Sequence, residues 1–138
     1  MRVHQETLEI AGRGRGLHDV TAEVQAVVAR SGVAVGLCSI FVQHTSASLV
    51  IQENADPSVR VDLVAWLSDV APEARRWTHD DEGPDDMPAH AKAAITKTSE
   101  TIPVQGGRMA LGTWQGLYLW EHRTRPQTRR LVVSVLGV

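Results

Sequence analysis

Hydrophobic and polar positions along the chain fall into stretches of two different periods. In "VHQETLEIA", residues 3–11, apolar and polar side chains alternate as in a strand, and "GRGRG" then breaks the strand into a loop. In "DVTAEVQAVVARSG", Val20, Val24, Val27 and Val28 recur at helical spacing, with Asp19 placed to cap the start and Gly32 to end it. This predicts an amphipathic helix. From Val33 to Val42 the β-branched and apolar content rises, and "SLVIQ" resumes it after the polar "HTSA". Two strands, or one sharply bent strand, fit that pattern.

"NADPSVRVDLVAWLSDVAP" supplies Asp56 as an N-cap and Pro57 as the first helical residue, with Val59, Leu63, Trp66, Leu67 and Val70 on one face. Between Pro72 and Pro88 the acidic residues after Trp77 leave little to pack, which predicts an exposed loop. Pro88 can open a short helix through "AHAKAAITKT", with His90 in its first turn. The runs "ETIPVQ", "RMALG", "GLYLWEHR" and "RRLVVSVLG" read as strands of an antiparallel meander, separated by "GG", "TWQ" and "TRPQT". With no repeated βαβ unit, this order predicts an α+β fold: an antiparallel sheet with helices packed on one side.

Composition narrows the possibilities. At 138 residues the chain is the size of one domain, taken here as residues 1–138. A net charge of -2, with both signs interspersed, lacks the footprint of a nucleic-acid binder, so a small ligand is the better default. Cys38, the single cysteine, is flanked by apolar residues in "VGLCSIFV" and reads as a buried thiol in a reducing compartment. No signal-peptide pattern or membrane-length apolar run is found, so the expected location is the cytoplasm, with no membrane partner.

Candidate chemistry centres on histidine. His4 and His18 sit where surface or capping roles suffice, whereas His44, His79, His90 and His122 occur in polar contexts that packing does not require. A metal reading takes His44, His79 and His90 as ligands, with Asp80 or Asp86 completing the shell or orienting the rings. Zinc or another first-row divalent ion suits three nitrogen donors, with a position left for water or substrate. The spacing is neither H-E-x-x-H nor a paired C-x-x-C, so the alternative stays open that "HTSAS" is a turn whose hydroxyls satisfy backbone groups. A nucleophilic Ser46 or Ser48 activated by His44 lacks any G-x-S-x-G elbow. "DDEGPDD" reads either as a solvated loop or as a cation or base site through Asp80, Asp85 or Asp86. "HRTRPQTRR" is either a charged turn or a phosphate clamp made by Arg125 and Arg129, and Trp114 either packs a sheet edge or lines a pocket.

Five ordered motifs, "QHTSASL", "ENADP", "HDDEGPDDMPAHAK", "GTWQGLYLWEHR" and "RRLVVSVLG", cover nearly the whole chain. Together they resemble the YjbQ family, small proteins also described as secondary thiamine-phosphate synthases. The resemblance implies an α+β homotrimer with clefts near subunit interfaces and a polar pocket around His44, His79 and His90. Thr45, Ser46, Asn54, Asp56, Asp86, Trp114, Gln115 and Glu121 are its further candidates. The assignment drawn from it makes His44, Thr45, Ser46, Asp86 and Glu121 catalytic and His44, His79 and His90 the ligands of a divalent metal, zinc by preference. Asn54, Trp114, Gln115, Arg125 and Arg129 then bind a small phosphorylated substrate. The implied activity joins hydroxymethylpyrimidine diphosphate to thiazole phosphate and releases pyrophosphate, and "secondary" suggests a side activity. The alternatives are a non-catalytic metal- or metabolite-binding homotrimer and a metal-dependent hydrolase.

Overall fold

The computed structural model describes residues 1–138. In chain order the elements are β1 (Arg2–Ile10), β2 (Gly16–Asp19), α1 (Thr21–Ser31), β3 (Gly36–Val42), β4 (Ala47–Glu53), α2 (Pro57–Val70), α3 (Asp86–Ile95), β5 (Ser99–Gln105), β6 (Arg108–Met109), β7 (Gln115–Glu121) and β8 (Arg129–Gly137). They form two antiparallel sheets, β1-β8-β3-β5-β6 and β2-β7-β4. The fold is α+β, as the element order predicts. Helix α1 packs on the larger sheet, and α2 and α3 lie against β2 and β4, so the helices share one side of the five-stranded sheet. No helix is long and apolar enough to cross a membrane.

Strand alternation builds the core. Cys38, Ile40 and Val42 of β3 meet Leu131, Val133 and Val135 of β8, and across the interior they face Leu49 of β4, Leu117 and Leu119 of β7, and Val24, Val27 and Val28 of α1. Burial pushes the Cys38 thiol up to about 11, which suits an inert core residue.

The polar interruption "HTSA" separates two strands in different sheets, because β3 belongs to the larger sheet and β4 to the smaller. The chain leaves one sheet for the other at the position where His44 sits. The C-terminal runs are not a meander. Only β5 and β6 form a hairpin, through Gly106 and Gly107 at φ 57° and 75°, while β7 lies between β2 and β4 and β8 between β1 and β3. Sequence periodicity reports which face of a strand is buried, not which strand lies beside it.

Local starts also move. The segment after the glycines forms β2, a strand too short to show a period, with Leu17 opposite Trp120. Helix α1 therefore begins at Thr21, whose amide donates to Asp19 Oδ1 at 2.9 Å, while Val20 occupies the N-cap position. Gly32 ends the helix in the left-handed conformation, as predicted. Asp56 caps α2 as predicted, accepting from the Ser58 amide at 2.9 Å. The predicted apolar face of α2 is mostly uncovered, since Leu67 is buried but Trp66 and Val70 are 58% and 51% exposed. Helix α3 starts at Asp86, two residues before Pro88, and Pro88 fits because first-turn amides need no intrahelical acceptor. His90 thereby falls in the second turn.

Candidate functional site

Starting α3 at Asp86 decides the site. Residues four apart on a helix share a face, so Asp86 and His90 point the same way. The segment predicted as an exposed loop ends in two buried carboxylates, Asp85 and Asp86, 7% and 2% exposed. Asp86 Oδ2 accepts from His79 Nε2 at 2.6 Å and lies 3.3 Å from His90 Nε2. His90 Nδ1 donates to the Thr45 carbonyl at 2.9 Å. A carbonyl only accepts, so the proton of neutral His90 is on Nδ1 and the Nε2 lone pair faces the carboxylate. Two acceptors at that separation call for a cation between them, a proton or a metal.

His79, Asp86 and His90 together present one ligand atom each, all within 4.8 Å of one another. Two imidazoles and a carboxylate suit zinc or another first-row divalent ion and leave a coordination position for water or substrate. The orienting shell fits as well: the Thr45 carbonyl fixes His90, and Arg123 donates to the second oxygen of Asp86.

Arg123 is the residue that sequence reading missed. From the connection after β7 it donates through Nε to Asp85 Oδ2 at 3.0 Å, through Nη2 to the Glu82 carbonyl at 3.0 Å, and to Asp86. Asp85 also accepts from the Thr124 amide at 2.9 Å. The available signal was the unmatched "DD" pair ahead of the helix and the arginine closing "LYLWEHR". Burial opposes ionisation of Asp86, yet the His79 hydrogen bond and the nearby Arg123 charge hold its carboxyl below the ordinary range. The same hydrogen bond to Asp86 raises His79 above the usual imidazole range.

His44 stands apart from this group. Its Nε2 accepts from the Arg130 amide at 2.8 Å, so the proton of the neutral ring is on Nδ1. Nδ1 then faces Arg129 Nη1 at 3.4 Å, donor against donor and too long for a strong bond. Burial lowers the His44 pKa and the Arg129 charge adds to it, keeping the ring neutral. Asp86 thus takes the place in the metal-capable group foreseen for His44. His44 instead shares a cleft of about 230 Å³ with Thr45, His90 and Ala94, next to the metal-capable group.

The other candidates divide by position. Arg129 is 3% exposed and its fork is spent on Glu121, with Nε to Oε1 and Nη2 to Oε2 both at 2.6 Å. Nη2 also reaches Ser46 Oγ at 2.9 Å, so Ser46 and Glu121 brace the wall behind His44. Arg125 is exposed on the following loop, and the clamp expected from Arg125 and Arg129 is not assembled. Ser48 pairs with His122 at 2.9 Å rather than with His44, in a fully buried position closed to substrate. Asn54 donates to the Thr113 carbonyl, and Gln115 accepts from the Gly112 amide, so these two shape the turn that carries the exposed Trp114. That turn lies at the Gln115 end of β7, opposite Glu121, roughly 20 Å away along the strand. Within one chain, Asn54, Trp114 and Gln115 are therefore outside the histidine site.

A family model described as UPF0047 protein YjbQ-like matches residues 6–138. A UPF0047 protein of Synechocystis sp. is 57% identical over 99% of this chain and 93% of its own length. The UPF0047 protein YjbQ of Escherichia coli O157:H7 is 42% identical over 97% of this chain and 98% of its own. Among solved structures, a YbjQ-like protein of unknown function from Sulfolobus solfataricus P2 superposes with a TM-score of 0.90 at 27% identity, covering 99% of both chains.

Proposed function

The chain belongs to the YjbQ-like UPF0047 family, and on that footing we propose that it is a metal-dependent enzyme acting on a small phosphorylated substrate. Thiamine-phosphate synthesis is the candidate reaction. The observation that carries the proposal is the His90 Nε2 lone pair held 3.3 Å from Asp86 Oδ2, with His79 on the same oxygen. A bound divalent ion would be held by His79, Asp86 and His90 and would supply Lewis-acid stabilisation of charge on a leaving diphosphate. Arg123 orients Asp86, and the Thr45 carbonyl fixes the His90 tautomer. His44, kept neutral with its Nε2 on the Arg130 amide, lines the adjoining cleft.

The assembly we propose is a homotrimer. Val3, Leu37 and Phe41 stand on the outer face of the five-stranded sheet at 74%, 45% and 47% exposure, apolar surface that a second copy would cover. That face equally suits the non-catalytic alternative, a metal-binding homotrimer.

Zinc titration and turnover separate the readings. Wild type is expected to bind stoichiometric zinc, Asp86→Ala and His90→Ala to bind none, and condensation of the two thiamine precursors to stop in EDTA and return with zinc. Undiminished turnover in EDTA would exclude a metal role. Zinc binding without turnover of any phosphorylated substrate would favour the binding trimer.

A further inference from the structure

His79 also lines a second cleft, which the metal-capable group does not account for. After α2, Trp77 Nε1 donates to the Pro72 carbonyl at 3.1 Å, closing this stretch into a loop, and Arg75 lies over the Trp77 ring at 4.9 Å from its centre. This loop forms one wall, Pro84 and Pro88 form the other, and His79 belongs to the lining. The enclosed volume is about 380 Å³, within the usual range for small organic ligands.

The charge in this cleft is not balanced. Of its two carboxylates, Glu73 is already paired with Arg15 at 3.2 Å, and Asp80 has no ion-pair partner. Neither Arg75 nor Arg76 has a carboxylate within ion-pair distance, so two free guanidiniums face one free carboxylate. Stacking on Trp77 holds the Arg75 fork in place, which reduces the entropy lost when it binds an anion. Arg129, the arginine favoured from sequence, is buried and committed to Glu121.

We infer that this cleft is the subsite for the phosphate or diphosphate group of an organic phosphate. Arg75 and Arg76 bind the anion, Trp77 supplies an apolar surface for the organic part, and the His79 end delivers the phosphate to the metal-capable group. The inference rests on the proposed function in placing the reaction at that group. The arginine pair itself needs no metal to bind an anion.

Calorimetric titration with inorganic pyrophosphate in EDTA tests the subsite alone. The Arg75→Gln, Arg76→Gln double variant is expected to bind about tenfold more weakly or worse, with Arg76→Gln intermediate and Arg125→Gln unchanged. Both substituted residues are exposed, so an unchanged thermal melt accompanies the loss, and zinc stoichiometry remains that of the wild type. Pyrophosphate binding by the double variant as tight as by wild type overturns the inference, as does no binding by wild type in EDTA. A wild type that takes up no zinc yet binds pyrophosphate through these arginines would end the metal reading and leave the subsite standing.

Discussion

His122 illustrates how one buried side chain sets a pH limit. It is 1% exposed against Ser48, and burial, with the Lys92 and Arg129 charges adding to it, pushes its pKa down to about 3. In the unfolded chain an imidazole titrates near 6.5, so between pH 6.5 and 3 the unfolded state takes up a proton that the folded state refuses. The stability from neutral His122 is complete above the higher value and is lost as pH falls toward the lower, roughly 5 kcal/mol in all. His122→Gln keeps a polar partner for Ser48 and should flatten the acid limb in urea unfolding from about pH 7 to 4; a limb as steep as wild type would refute the assignment. Glu121 and Arg129 form the other decisive pair. Glu121→Ala strands a buried guanidinium and is expected to cost about 3–5 kcal/mol in denaturant unfolding, whereas exposed Arg125→Ala should stay within about 0.5 kcal/mol. Equal effects from the two would show that the buried pair has no special weight.

At the scale of elements, the two helices beside the site differ in what holds them. Helix α3 is anchored at its start, where Asp85 and Asp86 are tied to Arg123, and most of its inner face is buried. Helix α2 buries only Leu67 and depends more on its ends, where Asp56 accepts from both the amide and the hydroxyl of Ser58. Asp56→Ala should therefore lower the thermal midpoint by roughly 3–5 °C, with Asp56→Asn close to wild type because amide oxygens cap nearly as well. A differential scan in which the alanine variant melts with wild type would remove the cap from the account. Both α2 and its cap were legible in sequence because an N-cap followed by proline is a local signal. The start of α3 was not, because Pro88 offered an equally good local start, and burial of the two preceding carboxylates is made tolerable by Arg123, Thr124 and His79, partners outside the helix.

For the whole molecule, the outer face of the five-stranded sheet leaves Val3, Leu37 and Phe41 exposed. Leu37 and Val3 both lie opposite Leu136, and Phe41 lies opposite Val132, so this face carries two apolar levels with the polar Gln5, Ser39 and Ser134 between them. For the homotrimer proposed above, a Leu37→Glu, Phe41→Glu variant is expected to lower the light-scattering mass to that of a monomer; a wild type that is itself monomeric would remove the trimer, and a variant that stays trimeric would place the interface elsewhere. Sequence by itself determined the α+β class, the apolar faces of the strands, the Asp56 and Gly32 helix ends, and the segments in which His79, Asp86 and His90 occur. Those features depend on residues a few positions apart, where periodicity and capping chemistry act. Tertiary structure alone decided that β3 and β4 belong to different sheets, that β7 and β8 are not neighbours, that Asp86 rather than His44 joins His79 and His90, and that Arg129 is withdrawn into the interior by Glu121. Each of these depends on partners far apart in the chain, brought together by burial and charge pairing that no local pattern records.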